Sequence, residues 1–157
     1  MFQEGYYENL GNKLYNKLPD FRAKYASLAT VSQISLILGL ISDSTRKVKR
    51  VLEIGVYNGV TSLYMLKTGI ATTPDYKQYG LDISTADFCG DAVLKEATED
   101  ELKHFSLHKG KTCLNINEVL DEKDKLDLVF IDGGHSHPWP LLDLVNIIPF
   151  LHKDSII

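Results

Sequence analysis

Cysteine is scarce in this chain: Cys89 and Cys113 are the only two in 157 residues. So far apart, they give neither the spacing of a zinc site nor a disulfide framework, and a reducing compartment is expected. Long apolar runs are missing too. The most apolar stretch, residues 34–41, is far too short to span a bilayer. The opening MFQEGYYENL carries acids instead of a basic start followed by an apolar core, so it does not read as a signal peptide. A soluble, cytoplasmic protein without membrane contact is expected. A basic excess is also lacking. Seventeen Lys and Arg stand against 21 Asp and Glu, a net charge of -4, which offers no footprint for nucleic acid. The short basic cluster Arg46, Lys47, Lys49 and Arg50 reads as a solvated helix end. Repeats and low-complexity segments are absent as well. What is present is ordinary globular material, 44% hydrophobic, at a length that suits one domain.

Tyr6, Leu10, Leu14 and Leu18 recur at helical spacing until Pro19 interrupts them, and a second helix fits residues 28–41. Together they make an N-terminal helical segment over residues 1–45. From residue 46 the pattern changes. Short apolar runs at 51–56, 79–83, 105–108 and 126–131 read as strands. Helices are expected at 60–67, 91–104, 116–120 and 141–151, a loop at 68–75, and the first residues of another strand at 155–157. Strands alternating with helices predict an α/β fold with a parallel sheet. Ligands in such sheets lie at the carboxyl ends of the strands, where strand order reverses.

Three segments fall at those ends. In Glu53-Ile54-Gly55-Val56-Tyr57-Asn58-Gly59 a strand runs into a glycine turn that opens a helix. Gly55 can bring backbone close to a ligand, and Gly59 sits where free N–H groups point outward. The spacing is neither the G-x-G-x-x-G of dinucleotide folds nor a phosphate loop ending in Gly-Lys-Ser/Thr. A tight turn with no ligand is the other reading. Glu53 favours a site, because a buried acid requires a partner. In Tyr79-Gly80-Leu81-Asp82-Ile83, Asp82 either accepts the hydroxyls of a ribose or caps a turn. In Asp127-Leu128-Val129-Phe130-Ile131-Asp132-Gly133-Gly134-His135, a carboxylate and an imidazole meet near a strand end. There they can bind a metal or move a proton, or they form a glycine turn with a surface histidine.

Taken in order, these segments resemble the class I S-adenosylmethionine (SAM) dependent methyltransferases. The nearest subgroup is the small-molecule O-methyltransferases that include catechol and macrolide-sugar enzymes. The resemblance covers about residues 28–157, and Val129-Phe130-Ile131-Asp132-Gly133-Gly134-His135 is its most specific piece. It implies a Rossmann-like fold of that class, and a cofactor-binding set of Glu53, Gly55, Tyr57, Asn58, Gly59, Thr61, Ser62, Asp82, Gly110, Thr112 and Asp132. Gly110 and Thr112 belong to the segment His108-Lys109-Gly110-Lys111-Thr112, matching the turn near the adenine, although Lys111 replaces the usual acid. Asp132 matches the first magnesium ligand of the family, and His135 its general base. The methyl acceptor implied is the hydroxyl of a small molecule or sugar.

The resemblance also implies an incomplete C-terminal end, because the further carboxylates of the metal site and the later strands have no counterpart here. With only three residues of the last strand present, strand 126–131 is expected to lie bare on one side and to invite self-association as a homodimer. A SAM-fold binding module without catalysis and an NAD-type Rossmann domain are the alternative readings. Tyr6, Tyr7, Tyr15 and Tyr25 either line a substrate pocket or pack in the core.

Overall fold

The computed structural model describes residues 4–121 and 123–157. Three helices come first: α1 (Glu4–Tyr15), α2 (Phe21–Lys24) and α3 (Val31–Ser42). The α3 helix starts at a capping box, in which the Thr30 side chain accepts from Gln33 N and the Gln33 side chain accepts from Thr30 N. Helices α1 and α3 meet backbone to backbone. A Cβ on Gly11 would lie 1.7 Å from the Ser35 carbonyl oxygen, and one on Gly39 would lie 1.8 Å from that of Tyr7.

The remaining elements alternate. They are β1 (Arg50–Ile54), α4 (Val60–Thr72), β2 (Lys77–Asp82), α5 (Asp91–Glu96), α6 (Glu99–Leu102), β3 (Phe105–Lys109), β4 (Leu126–Ile131), α7 (Trp139–Ile147) and β5 (Leu151–Ile156). All strand pairs are parallel, in the order β3-β2-β1-β4-β5. Alternate residues of β1 and β4 feed two cores, as a sheet covered on both faces requires. Val51 and Leu128 join Tyr7, Phe21, Ile34, Leu38, Leu63 and Tyr64 on one face. Leu52, Ile54 and Val129 join Ile147 and Phe150 on the other. Residues before 46 therefore share a core with those after it. Among the described residues no helix is long and apolar enough to cross a membrane.

Several boundaries differ from expectation. Helix α4 runs through Thr72 into the expected loop. Gly69 suits this helix because the Tyr76 ring occupies the place of its side chain, 2.3 Å from where a Cβ would stand. The expected helix 91–104 is two, broken at Ala97, because Thr98 caps α6 in a second capping box with Glu101. Cys113–Glu118 is a 3-10 turn capped by Thr112, earlier than the helical turn expected at 116–120. After α7 a short 3-10 turn, Ile148–Phe150, hands directly to β5.

That last difference corrects the bare-edge expectation. The final strand has six residues, Leu151–Ile156, and it covers β4, which is an interior strand. Its outer edge presents exposed Lys153 and Asp154, and charges on an edge discourage pairing with a second chain. Asp127 fixes the same region. Its Oδ2 accepts the N–H groups of Lys49 and Arg50, both at 2.8 Å, and its Oδ1 lies 3.0 Å from His152 Nε2.

Candidate active site

Strand order reverses at β1, so β1 and β4 diverge into their loops side by side, and a cleft of about 540 Å³ opens there. A size of this order suits a small molecule or cofactor. The glycine turn after β1 forms its floor. Gly55 has φ +94, and a Cβ on it would stand 2.3 Å from the Asp132 carbonyl oxygen. Its N–H donates to Leu81 O, and Asp132 N–H donates to Ile54 O, both at 2.8 Å. Gly55 thus lets the ends of β1 and β4 touch, as well as lining the cleft.

Asp82, at the end of β2, holds the same turn. Its Oδ2 accepts Val56 N–H at 2.9 Å and Tyr57 N–H at 2.7 Å, while Oδ1 accepts Ser84 N–H at 2.7 Å. Tyr57 adopts φ +51, a costly conformation for a bulky residue. Both its neighbouring peptides are tied down, since its carbonyl accepts from Gly90 N–H at 2.8 Å.

Glu53 is only 1% exposed, yet it lines the cleft. Burial pushes its carboxyl up to about 8, against a hydrogen bond from Ser62 that favours the charged form, and the nearby charges of Asp132 and Asp82 push the same way as burial. Ser62 donates to Glu53 Oε2. Behind them Gln78 Nε2 donates to Ser62 O at 3.1 Å, and Tyr76 donates to Gln78 Oε1 at 3.0 Å.

The β4 end supplies Asp132. Its carboxylate can only accept, and it takes a hydrogen bond from His135 Nε2 at 3.3 Å. A neutral His135 therefore keeps its lone pair on Nδ1. The imidazole is 80% exposed, free to meet a ligand at the mouth. Asp143 of α7 is a buried acid lining the cleft. Burial first and the neighbouring Asp143 second push the Cys113 thiol up to about 12. Both cysteines are free and buried.

The cleft thus gathers Glu53, Gly55, Tyr57, Asn58, Thr61, Asp82, Thr112, Asp132 and His135 of the expected residues. Gly59, Ser62 and Gly110 stand outside its lining. Gly59 caps α4 with φ +81, and a Cβ there would meet Gly90 Cα at 3.0 Å. Ser62 acts through Glu53, and Gly110 makes a left-handed turn beside Thr85. Lys111 lines the cleft but is paired with Glu118. Sequence reading missed Ser27, Leu28, Ala29, Gln33, Trp139 and Asp143. Asp143 carries a readable signal, as the lone acid of an apolar helix. The α2–α3 connection carries none, because only tertiary packing brings it to the sheet. Of the four N-terminal tyrosines, none lines the cleft. Tyr7 is buried, Tyr15 stacks on Tyr64 at 4.9 Å, and Tyr25 bonds Glu96.

The magnesium expectation at Asp132 finds no support. Among the described residues no three His, Cys, Asp or Glu side chains converge as a metal site, and Asp132 brings one carboxylate with only His135 bonded to it. Asp82 and Asp132, facing little free positive charge, fit a ligand that carries cationic groups and hydroxyls.

Residues 52–157 match the family model described as a methyltransferase domain. No curated protein matches the sequence. Among solved structures, the chain is similar to the O-methyltransferase TomG of Streptomyces achromogenes, involved in tomaymycin synthesis and solved with SAM: 19% identity, TM-score 0.66, covering 99% of this chain and 65% of that one. It is similar to a Podospora anserina methyltransferase bound to S-adenosylhomocysteine (SAH), at 21% identity and TM-score 0.65, covering 94% and 58%. A Bacillus cereus O-methyltransferase with SAH shares 12% identity at TM-score 0.61, covering 97% and 64%. The chain therefore spans 58–65% of the length of these structures and shares their fold.

Proposed function

The chain belongs to the methyltransferase-domain family, and from that premise we propose that it binds SAM in the cleft and transfers the methyl group to a hydroxyl of a small molecule. The observation that carries this reading is the convergence of Glu53, Asp82 and Asp132 from three adjacent strands around one glycine turn. The SAM and SAH carried by similar folds support it.

Bound SAM would supply a methyl group on a sulfonium sulfur, open to displacement by an oxygen nucleophile. In this reading Asp82 uses the lone pair left on Oδ1 to accept a ribose hydroxyl, while its Oδ2 keeps the glycine turn in place. Glu53 and Asp132 face the cationic methionine end, and Thr112 borders the adenine. Asp132 orients His135, and Nδ1 of His135 takes the acceptor's hydroxyl proton as the oxygen attacks. Val56 and Trp139 give the cleft apolar walls that help to hold the nucleophile and methyl carbon in line.

The test is transfer of radiolabelled methyl from SAM to a panel of catechols, phenols and sugars, with His135→Ala alongside. Because the imidazole is exposed, the variant should keep its stability and its SAH affinity while its rate falls roughly 10²–10⁴-fold. Equal rates would remove His135 from the chemistry. SAH binding without transfer to any acceptor would leave a binding module in place of an enzyme.

A further inference from the structure

Residues 25–29 join α2 to α3 without regular structure and pass along the cleft, where Ser27, Leu28 and Ala29 form part of its lining. Leu28 is 81% exposed, so little apolar burial holds this strap at its middle. Its ends are packed, with Ala29 at 6% exposure in the core and Tyr25 against it, and its polar tethers come from two other elements. Asn58 of the glycine turn donates to the Ala26 carbonyl. Glu96, the last residue of α5, accepts from the Tyr25 hydroxyl at 2.8 Å and pairs with Lys24 through the same Oε1. One carboxylate thus takes two consecutive side chains at the start of the strap. The hydrogen bond from Lys24, then that from Tyr25, holds the Glu96 carboxyl below its usual range. None of Lys24, Tyr25 and Glu96 lines the cleft.

We infer that Glu96 is a positioning residue for this site: through Tyr25 and Lys24 it latches the strap across the cleft mouth, and the latch sets how long a bound adenosyl ligand stays. Between its packed ends, the middle of the strap at residues 26–28 opens at low cost, since segments with little buried apolar surface lie at the low-stability end of a structure. Each tether lost to Glu96 raises the open fraction and speeds ligand escape. The inference rests on the cleft being the SAM site.

The experiment measures SAH dissociation from the 157-residue chain by stopped-flow displacement. Fluorescence of Trp139 is the signal, since it is the only tryptophan and lies in the cleft wall. Glu96→Ala should speed dissociation roughly five- to tenfold, the worth of one hydrogen bond and one exposed ion pair. Glu96→Gln, which still accepts from Tyr25, should speed it about two- to threefold. Tyr25→Phe removes only the hydroxyl and should fall between wild type and Glu96→Ala, which keeps the test open if Glu96→Ala fails to fold. High salt should speed dissociation from the unaltered chain and not from Glu96→Ala, because it screens the Lys24 pair. Lys103→Ala breaks the exposed pair with Asp100, neither of which lines the cleft or bonds to the strap, and should change nothing. A merely structural Glu96 would lower the melting temperature and leave the dissociation rate unmoved. That result, or equal acceleration by Lys103→Ala, overturns the latch. No SAH binding by the unaltered chain would instead defeat the functional reading and the latch with it.

Discussion

The Asp82 carboxylate accepts the backbone N–H of Tyr57 at 2.7 Å, so the acid at the end of β2 holds the glycine turn after β1 in its strained shape. Fold and site are coupled through this contact. Asp82→Ala should lower unfolding free energy by about 1–3 kcal/mol, because three N–H groups lose a charged acceptor. In the fraction that remains folded it should also weaken SAH binding by at least roughly tenfold, the equivalent of one lost hydrogen bond to a charged group. Urea unfolding and SAH titration on the same sample check both. A stable variant with unchanged affinity would place the ribose elsewhere.

The glycines of the turn should differ sharply in tolerance. Gly55→Ala forces a Cβ to within 2.3 Å of a backbone oxygen at φ +94, a contact that no side-chain movement relieves. It should cost at least about 3 kcal/mol. Gly133→Ala meets the Ile54 methyl at 3.3 Å and, at ordinary contact distance, Asp143 Oδ2 and Ile54 O at 3.6 Å, and should cost below about 1 kcal/mol. Gly59→Val should damage folding, since its backbone is left-handed and Gly90 lies beside it. Urea midpoints ranked otherwise would contradict these contacts.

The strand signals at residues 51–56 and 126–131 were legible because both strands are buried on two faces and read as continuous apolar runs. Asp82, Asp132 and His135 were legible because parallel strands deliver their carboxyl ends to one place. Helix ends were less so. Gly69 and Pro74 suggest a loop, yet the Tyr76 ring fills the space beside Gly69 and the helix continues. The length of β5 was hidden because Lys153-Asp154-Ser155 lacks apolar character, and its pairing with β4 depends on partners distant in sequence. The strap at residues 25–29 was invisible for the same reason: its ties to Asn58 and Glu96 are long-range.

Buried Glu53 gives the fold a definite pH dependence. Its carboxyl rises from the ordinary 4.5 to about 8 in the folded chain. The folded state therefore holds a proton that the unfolded state releases above pH 4.5. Its stabilising contribution is full below 4.5 and is lost as pH climbs toward about 8, at roughly 1.4 kcal/mol per pH unit at most. Glu53→Gln removes the titration, so its stability should be flatter across that window and should exceed wild type at the alkaline end. Parallel stability curves for the two proteins would show that Glu53 is not the group responsible.

The central claim is that the cleft at the ends of β1, β2 and β4 holds an adenosyl ligand. Isothermal titration of the 157-residue chain with SAH, in parallel with folded Asp82→Ala, tests it most directly. One site per chain is expected, with affinity at least roughly tenfold weaker in the variant. Absence of heat with the unaltered chain, or the same dissociation constant for both proteins, would contradict it.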